Sequence, residues 1–354
     1  MTHDAPQVSH PRDSGSSASG SVLGLNLRIV VLLLVLAVVG WRGRELWLQG
    51  KQAAGPGSFT PGWHPVWLLA ATVIYLVGWM PSVWFWRRLL RQAGHDLNVA
   101  TVLRAYFCGH LGKYIPGKAS VLVIRAALVH GHGVPASTAA WTATWETLLT
   151  MGVGGILGVG LAPWLLTAEL VSELPTPLRL AAEHPVWVAA VVAGLSLAGL
   201  PMLSRLVSRL TRRLTNNSDL DVSLSTIDAL LGALAMSGGW LCHGLSLWWT
   251  LEGLGISPVS TCPGSTIAGL TAAVGLATSL GFVAVFAPGG VGIREGVLIE
   301  GLVRSGTGQQ VAIVAAVLLR AIWLLAELLA SAALYYGVAT ARTDALSPHD
   351  EPKD

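Results

Sequence analysis

A set of charged residues lies within or beside long apolar stretches of the sequence: Lys113, Lys118, Arg125, Glu146, Arg294, Arg320 and Glu327. In a lipid bilayer a cation at the centre of a helix costs about 3 kcal/mol, so four such cations facing lipid would cost roughly 10 kcal/mol or more. We therefore expect these side chains to face the interior of the protein. There they could pair with one another or hold an anionic group.

The apolar run at residues 282–300, FVAVFAPGGVGIREGVLIE, is interrupted by a proline-glycine break. Pro288 lacks a backbone N–H and disfavours helical geometry in the preceding residue, and Gly289 and Gly290 let the backbone turn. The helix is expected to resume at about Gly292. In a bilayer such a break is tolerated only where the backbone is buried in protein or lines a water-filled cavity.

The resumed helix carries Arg294 and Glu295 in its first turn. The first turn of a helix presents unpaired N–H groups and the positive end of the helix dipole. Together with Arg294, Gly289 and Gly290 this predicts a pocket for an anionic group. For Glu295 a proton or cation site is one interpretation, but we favour a first-turn acid that stabilises the dipole and pairs with a neighbouring cation.

A second break lies in residues 110–129, HLGKYIPGKASVLVIRAALV, at Pro116. This segment carries three cations, Lys113, Lys118 and Arg125. The two breaks are 172 residues apart, which is about half of the chain. Paired interruptions at corresponding positions are typical of transporter binding sites. His110 and Tyr114, four residues apart, could line the same cavity, although a lone histidine is more often a structural residue.

Two interpretations of the buried charges remain open. In the first, Glu146 and Glu327 form internal ion pairs that lock the helices together, with Arg125, Arg294 or Arg320 as partners. In the second, at least Arg294 and Lys118 contact an anionic lipid headgroup, and the acids tune that contact. Lys118 and Arg125, like Arg320 and Glu327, are seven residues apart and share a helix face. We favour the second, since a purely structural ion pair needs no break beside it.

The composition is that of a membrane protein. Of 354 residues, 53% are hydrophobic and 12% are charged, and the mean hydropathy is +0.60. The longest hydrophilic connections, near residues 42–64 and 204–225, are too short for a soluble domain. A net charge of +3 without a basic tail gives no case for nucleic-acid binding. We expect an all-α polytopic membrane protein.

Catalytic and metal-binding motifs are lacking in the sequence. The three cysteines have no metal-ligand spacing and are expected to be small buried residues: Cys108, Cys242 and Cys262. Asp219 and Asp221 superficially resemble a metal-binding DxD motif, but they precede a span, where such residues usually cap a helix. We expect neither a cofactor, a metal nor an enzymatic activity.

The apolar pattern divides the chain into two similar halves. We expect a disordered tail at 1–21, a transmembrane domain at 22–338 and a second tail at 339–354. About six full spans are predicted, at residues 22–41, 65–86, 136–166, 186–203, 227–254 and 310–338. The two broken segments, 99–130 and 262–304, are predicted to be re-entrant. An odd number of full crossings per half makes the halves, 22–166 and 186–338, an inverted repeat.

The basic residues of the loops are unequally distributed between the two sides of this layout. One side carries twelve: Arg12, Arg28, Arg87, Arg88, Arg91, Arg104, Arg205, Arg209, Arg212, Arg213, Arg342 and Lys353. The other side carries four: Arg42, Arg44, Lys51 and Arg179. Basic loops stay in the cytoplasm. We therefore expect a multi-pass protein of the plasma membrane, the inner membrane of a two-membrane cell, with both termini in the cytoplasm.

The sequence resembles the transmembrane region of bacterial lysylphosphatidylglycerol synthetases and the wider family of flippase-like integral membrane proteins. The resemblance covers about residues 23–338 and is carried by GKYIPGK with Arg125 downstream, by PGGVGIRE, and by Glu146 and Arg320. In that family the region is taken to move aminoacylated phosphatidylglycerol between leaflets. The resemblance thus implies a lipid flippase or translocase whose functional residues are Lys118, Arg125, Glu146, Arg294, Glu295 and Arg320.

Two departures from the family pattern qualify this implication. The cytosolic aminoacyl-transfer domain is missing, so we expect no synthetase activity and a lipid that need not be lysylated. Thr147 stands where the family often has arginine, which leaves the kind of headgroup open. The partners expected are a membrane phospholipid and, in addition, a second copy of the chain or a separately encoded lipid- or glycan-modifying enzyme.

Three alternatives to a phospholipid flippase follow from the same observations. Some family members are associated with cell-surface glycan assembly, which makes a polyprenyl-phosphate or glycolipid substrate a competitor. A second alternative is a non-transporting accessory protein for an envelope-lipid or glycan enzyme. The third is an intramembrane transferase that uses Glu146 or Glu295 as a base. An ion-paired core without a cavity would favour the accessory protein, whereas a polar groove open to lipid would favour the flippase.

Overall fold

The computed structural model describes residues 61–114, 119–215, 225–257, 263–284, 290 and 292–344, and these residues form helices and no strands. The helices are α1 Pro65–Gly78, α2 Met80–Gln92, α3 Val99–His110, α4 Ala119–His130, α5 Ala136–Gly160, α6 Ala168–Glu173, α7 Thr176–Glu183, α8 Pro185–Thr215, α9 Thr226–Gly253, α10 Pro263–Val283, α11 Ile293–Arg304 and α12 Gln309–Asp344. Short 3₁₀ turns follow α3 and α5, at Leu111–Tyr114 and Ala162–Leu165. The all-α prediction is confirmed.

Four stretches of the described chain are long and apolar enough to cross a membrane: Pro65–Gln92, Thr226–Gly253, Thr266–Val283 and Gln309–Gly337. The first combines α1 and α2, and the last lies in α12. A fifth crossing is possible by length if the pair α7 and α8, bent by 94°, counts as one span. These spans confirm a polytopic membrane protein, while the predicted span at 22–41 lies outside the described residues.

Helix α5 holds Glu146 and is 25 residues long, about 37 Å at 1.5 Å per residue. That length suffices to cross a bilayer, but its glutamate and threonines make it less apolar than the four spans. It ends at Gly160, before the predicted limit of 166, because Pro163 opens a 3₁₀ turn there. The polar content of α5 indicates that one of its faces meets polar groups of the protein.

The structure differs most from the prediction around α8. The predicted span 186–203 was to be followed by a polar connection, but the helix continues through Thr215. The extension is rich in leucine and arginine, which are good helix formers. The predicted connection before α8 contains two short helices, α6 and α7, and the hydroxyl of Thr167 caps α6 by accepting from the N–H of Leu170 at 3.4 Å.

Each broken segment forms a hairpin of two packed arms. The first hairpin, residues 99–130, joins α3 and its 3₁₀ turn to α4, and the second hairpin, residues 263–304, joins α10 to α11. Helices α4 and α11 are 12 residues each, about 18 Å, too short for a hydrocarbon core of about 30 Å. The breaks at 115–118 and 285–289, with Lys118 and Gly289, lie outside the described residues.

Glycines allow the arms of each hairpin to approach closely. In the first hairpin the Ser120 hydroxyl donates to the Gly112 carbonyl at 2.5 Å, and a Cβ on Gly112 would lie 2.7 Å from the Val121 nitrogen. In the second, Gly290 has φ of +70°, and a Cβ there would lie 2.9 Å from the Cα of Gly281. A larger residue at these positions would push the arms apart.

The order of elements is the same in the two halves of the described chain. In 65–160 a long helical stretch (α1 and α2) precedes the first hairpin and α5 follows it. In 226–344 a long helix (α9) precedes the second hairpin and α12 follows it. The halves also pack on each other, since α1 contacts α9, α5 contacts α10, and α12 contacts α3. Their contact brings side chains of both hairpins together at the centre.

Candidate functional site

A cavity of about 370 Å³ lies between the two hairpins and α5. Five of the residues predicted for the site line it: Lys113, Arg125, Glu146, Gly290 and Arg294. The remaining lining is largely apolar or hydroxyl-bearing and includes Trp79, Tyr106, His110, Leu148, Thr278 and Phe282. Residues as many as 215 positions apart in the sequence therefore line the same cavity.

Glu146 and Arg125 form a buried ion pair in the wall of the cavity. The Arg125 Nη1 lies 2.6 Å from Glu146 Oε2, and both side chains are 2% exposed. The Glu146 carboxylate also accepts from the hydroxyls of Tyr106 at 3.1 Å, Thr150 at 3.1 Å and Thr147 at 3.3 Å. Its charge and its lone pairs are therefore satisfied within the protein.

Aromatic rings complete the surroundings of Arg125. Its guanidinium carbon lies 4.0 Å from the centroid of the Tyr106 ring and 5.0 Å from that of Trp86. A cation above an aromatic face is attracted by the negative charge of the π-system. Gly109 leaves the space through which the stem of Arg125 passes, since a Cβ there would overlap the stem. The first hairpin thus holds Arg125 in one position.

Glu327 on α12 is the centre of a second buried network. Its side chain has no exposed surface, and it accepts from Lys113 Nζ at 2.5 Å, from the Tyr114 hydroxyl at 3.0 Å and from the Tyr75 hydroxyl. The Nε2 atom of His110 lies 3.6 Å from the same carboxylate. Lys113 therefore lines the cavity with its charge already balanced by Glu327.

Arg320 and Glu295 lie beside this network rather than in the cavity wall. The Nε atom of Arg320 is 3.6 Å from Glu295 Oε1, and its guanidinium carbon is 5.4 Å from the centroid of the Tyr114 ring. The Glu295 carboxylate also accepts from the backbone N–H of Gly292 at 2.6 Å, which caps α11. This confirms the prediction that Glu295 is a first-turn acid paired with a neighbouring cation.

Arg294 is half-buried and differs from the other cations of the site, because no carboxylate of the described chain lies within ion-pair distance of it. It sits in the first turn of α11 and lines the cavity. Its guanidinium carbon lies 4.7 Å from the centroid of the Trp323 ring, which stacks on Tyr75 at 4.4 Å. Trp323 is itself fixed, since its indole N–H donates to Ser246 at 3.0 Å.

The charges of the described site leave one positive charge uncompensated. Its cations are Lys113, Arg125, Arg294 and Arg320, and its acids are Glu146, Glu295 and Glu327. Each acid lies within 4 Å of a different cation: Glu327 of Lys113, Glu146 of Arg125, and Glu295 of Arg320. The excess positive charge is therefore that of Arg294, which can hold an anion at the end of α11 where the helix dipole is positive.

The cavity reaches the outer surface of the protein along α5. Leu148 lines the cavity and is 48% exposed, and Thr144 and Thr147 lie half-buried on the same face of the helix. An exposed apolar side chain in the middle of a membrane helix faces lipid. The cavity therefore reaches the exposed surface of α5 at Leu148.

Several residues that shape the site were absent from the predicted substrate-binding set. Glu327 was expected to face inward and to pair with a cation, but it was not counted among the binding residues. The aromatic residues Tyr75, Tyr106 and Trp323 gave no such signal, since aromatic residues in membrane helices commonly mark the interface with water. His110 does line the cavity, whereas Tyr114 lies behind it and donates to Glu327.

The other candidates add no site to the described part of the chain. Cys108 and Cys242 are free and partly buried, and Cys262 lies outside the described residues. No group of three or more His, Cys, Asp or Glu side chains that could hold a metal ion occurs in the described ranges. Asp219 and Asp221 lie outside those ranges, while Ser225 after them caps α9.

The family model of the lysylphosphatidylglycerol synthase transmembrane region matches residues 21–331 of this sequence. The matched range contains both hairpins, α5 and all of the site residues described above. No curated protein and no solved structure matches the sequence. The chain therefore belongs to the lysylphosphatidylglycerol synthase transmembrane-region family, whose members are membrane proteins related to lipid synthesis or translocation.

Proposed function

We propose that this protein is a lipid flippase that moves a phospholipid with an anionic phosphate headgroup, aminoacylated or not, between the leaflets of the plasma membrane. One observation carries the proposal: Arg294 lines a laterally open cavity with no carboxylate partner among the described residues. Insertion of a cation into a bilayer is unfavourable unless the charge meets a partner. A lipid phosphate is an anion that can reach this position from the membrane.

The geometry suits a phosphate group in particular. A guanidinium can donate to two phosphate oxygens at once, and the positive end of the α11 dipole lies at the same place. Stacking on Trp323 orients the guanidinium and leaves its edge for hydrogen bonds. The headgroup would occupy the cavity near Arg294, and the acyl chains would leave through the opening at Leu148.

In this proposal the protein performs no covalent chemistry. Its partner is a membrane phospholipid, and Glu146 and Glu327 hold the first hairpin in place instead of acting as bases. The four donors around the Glu146 carboxylate occupy its acceptor sites, which leaves none for a substrate. Assembly with a second copy, or with a separately encoded lipid- or glycan-modifying enzyme, is compatible with this role.

A non-transporting accessory protein is the second candidate function. It is favoured by the networks of Glu146 and Glu327, which are internally satisfied and tie α5 and α12 to the first hairpin. Such networks stabilise a bundle whether or not it transports lipid. The two candidates differ in what they predict for Arg294, which takes no part in either network.

The test compares three variants of α11 in liposomes that contain fluorescent phosphatidylglycerol. Arg294→Ala should fold normally and abolish transbilayer movement of the lipid. Arg294→Lys should retain part of the activity, because lysine keeps the charge but cannot form the bidentate contact with phosphate. Arg304→Ala is the matched control on the same helix, since Arg304 is exposed and pairs with Glu300. Movement at the unmodified rate in Arg294→Ala would refute the flippase proposal at this site.

A further inference from the structure

We propose that the cavity selects a lipid phosphate without an ammonium group, so that the transported lipid is a plain anionic lipid and not an aminoacylated one. This inference rests on the proposed flippase function and concerns its substrate class. It follows from the hydrogen-bonding capacity of the cavity wall, where the carboxylate oxygens are already used and several donors are not.

No carboxylate lining the cavity is available to bind an ammonium group. Among the described residues that line the cavity, Glu146 is the only acid. Each of its two carboxylate oxygens already accepts two hydrogen bonds. Oε2 accepts from Arg125 and Thr147, and Oε1 accepts from Tyr106 and Thr150. A carboxylate has about four lone-pair sites, so this set fills them.

The two other acids of the site are behind the wall. Glu327 has no exposed surface and is covered by Lys113, Tyr75 and Tyr114. Glu295 is held by the N–H of Gly292 and by Arg320. Neither carboxylate is in the described lining, so an ammonium group in the cavity meets no free acid there.

The wall does offer donors that have no partner in the described chain. Beside the guanidinium of Arg294, they are the indole Nε1 of Trp79, the Nε of Arg125 and the hydroxyl of Thr278, all buried and all on residues that line the cavity. Indole and guanidinium N–H groups can only donate. Thr278 is 9% exposed, and Trp79 is 5% exposed, so bulk water reaches neither freely.

A phosphate supplies what these donors lack, because its oxygens accept several hydrogen bonds and carry negative charge. An aminoacyl ester would add a cation close to Arg294, the charge that no acid of the described site balances, where like charges repel and no free carboxylate offsets the repulsion. The wall therefore discriminates against the ammonium group while it binds the phosphate.

The test measures binding of short-chain lipids to the full-length protein in detergent by native mass spectrometry. The probes are phosphatidylglycerol, lysyl-phosphatidylglycerol, a polyprenyl phosphate and inorganic phosphate. Phosphatidylglycerol should bind at least tenfold more tightly than its lysyl ester, and inorganic phosphate should bind weakly because it lacks the acyl chains. Tight binding of the polyprenyl phosphate would also support the inference, since that lipid carries a phosphate without an ammonium group.

Variants of the wall sharpen the comparison. Thr278→Val removes an unpartnered hydroxyl and should weaken phosphatidylglycerol binding about threefold to tenfold. Thr144→Asp places a new carboxylate at the half-buried mouth and should narrow or reverse the preference against the lysyl ester. Thr144 donates only to the carbonyl of Ala140, so the change leaves the network of Glu146 intact. Unchanged selectivity in Thr144→Asp would contradict electrostatic discrimination.

Failure of the inference and failure of the flippase proposal give different results. Equal or tighter binding of lysyl-phosphatidylglycerol, together with its transport in liposomes, would overturn the selection and retain the flippase. Selective binding of phosphatidylglycerol without transport of any lipid would retain the selection and overturn the flippase. Binding of no lipid at all would overturn both.

Discussion

The ion pair of Glu146 and Arg125 provides a quantitative test of how much burial contributes to the stability of this core. We predict that Glu146→Gln lowers the free energy of unfolding by about 3 kcal/mol. The reason is that Arg125, 2% exposed, would keep its charge without a carboxylate at 2.6 Å. Removing one partner of a buried pair typically costs about 3–5 kcal/mol.

Two features of the structure place the expected loss at the low end of that range. The glutamine oxygen can still accept from Tyr106 and Thr150, so these hydroxyls keep a partner. The rings of Tyr106 and Trp86 also remain within 4.0 and 5.0 Å of the Arg125 guanidinium carbon. The double variant Arg125→Met/Glu146→Gln removes both charges. Its loss in free energy of unfolding should be smaller, by about 2 kcal/mol, than the sum of the losses of the two single variants.

The measurement is a double-mutant cycle from reversible unfolding of the purified protein in mixed detergent micelles. The matched control is the pair of Arg304 and Glu300, which has the same 2.6 Å separation but side chains that are 48% and 60% exposed. A helix pair of this kind should show a coupling of about 0.5 kcal/mol or less. Equal couplings for the two pairs would refute the reasoning that burial decides the contribution.

Three further predictions follow from the hairpins and the loops. Gly290→Ala should destabilise the protein by about 1–3 kcal/mol in thermal unfolding, because of its positive φ and its contact with the opposite arm, whereas Gly296→Ala, with open space around it, should be neutral or stabilising. Glu327→Gln removes the carboxylate that balances Lys113 at the cavity, so it should lower stability and tighten phosphatidylglycerol binding about threefold. Reporter fusions at the polar end of α8 should report cytoplasm and those in α6 the outside; the reverse result would contradict the charge bias of the loops.

The sequence was sufficient to predict the hairpins and the inward-facing charges because both have a large energetic cause. A proline-glycine break and a cation are each unfavourable in lipid, so their coincidence in one segment restricts the possible structures. The start of α11 beside Gly292 and the role of Glu295 follow from the same local rules. These features depend on residues close together in the chain.

The pairing of acids with cations could not be predicted in the same way. Lys113 and Glu327 are 214 residues apart, and their contact depends on how α12 packs against the first hairpin. The sequence pattern indicated Arg125, Arg294 and Arg320 as partners for Glu327, and the lysine was not among them. The extent of α8 was also not predicted. Its polar end is rich in good helix formers, but a prediction of spans from apolar residues alone assigns this end to a connection.

The two hairpins are similar in sequence and element order, yet their charges have different surroundings. In the first hairpin, Lys113 and Arg125 each meet an acid from a long helix, Glu327 of α12 and Glu146 of α5. In the second, Arg294 meets the face of Trp323. The ion-pair interpretation therefore applies to the described cations of the first hairpin, and anion binding is proposed for the second. It follows that loss of charge in the first hairpin should appear mainly as lost stability, whereas loss of Arg294 should appear as lost lipid binding in a protein that still folds.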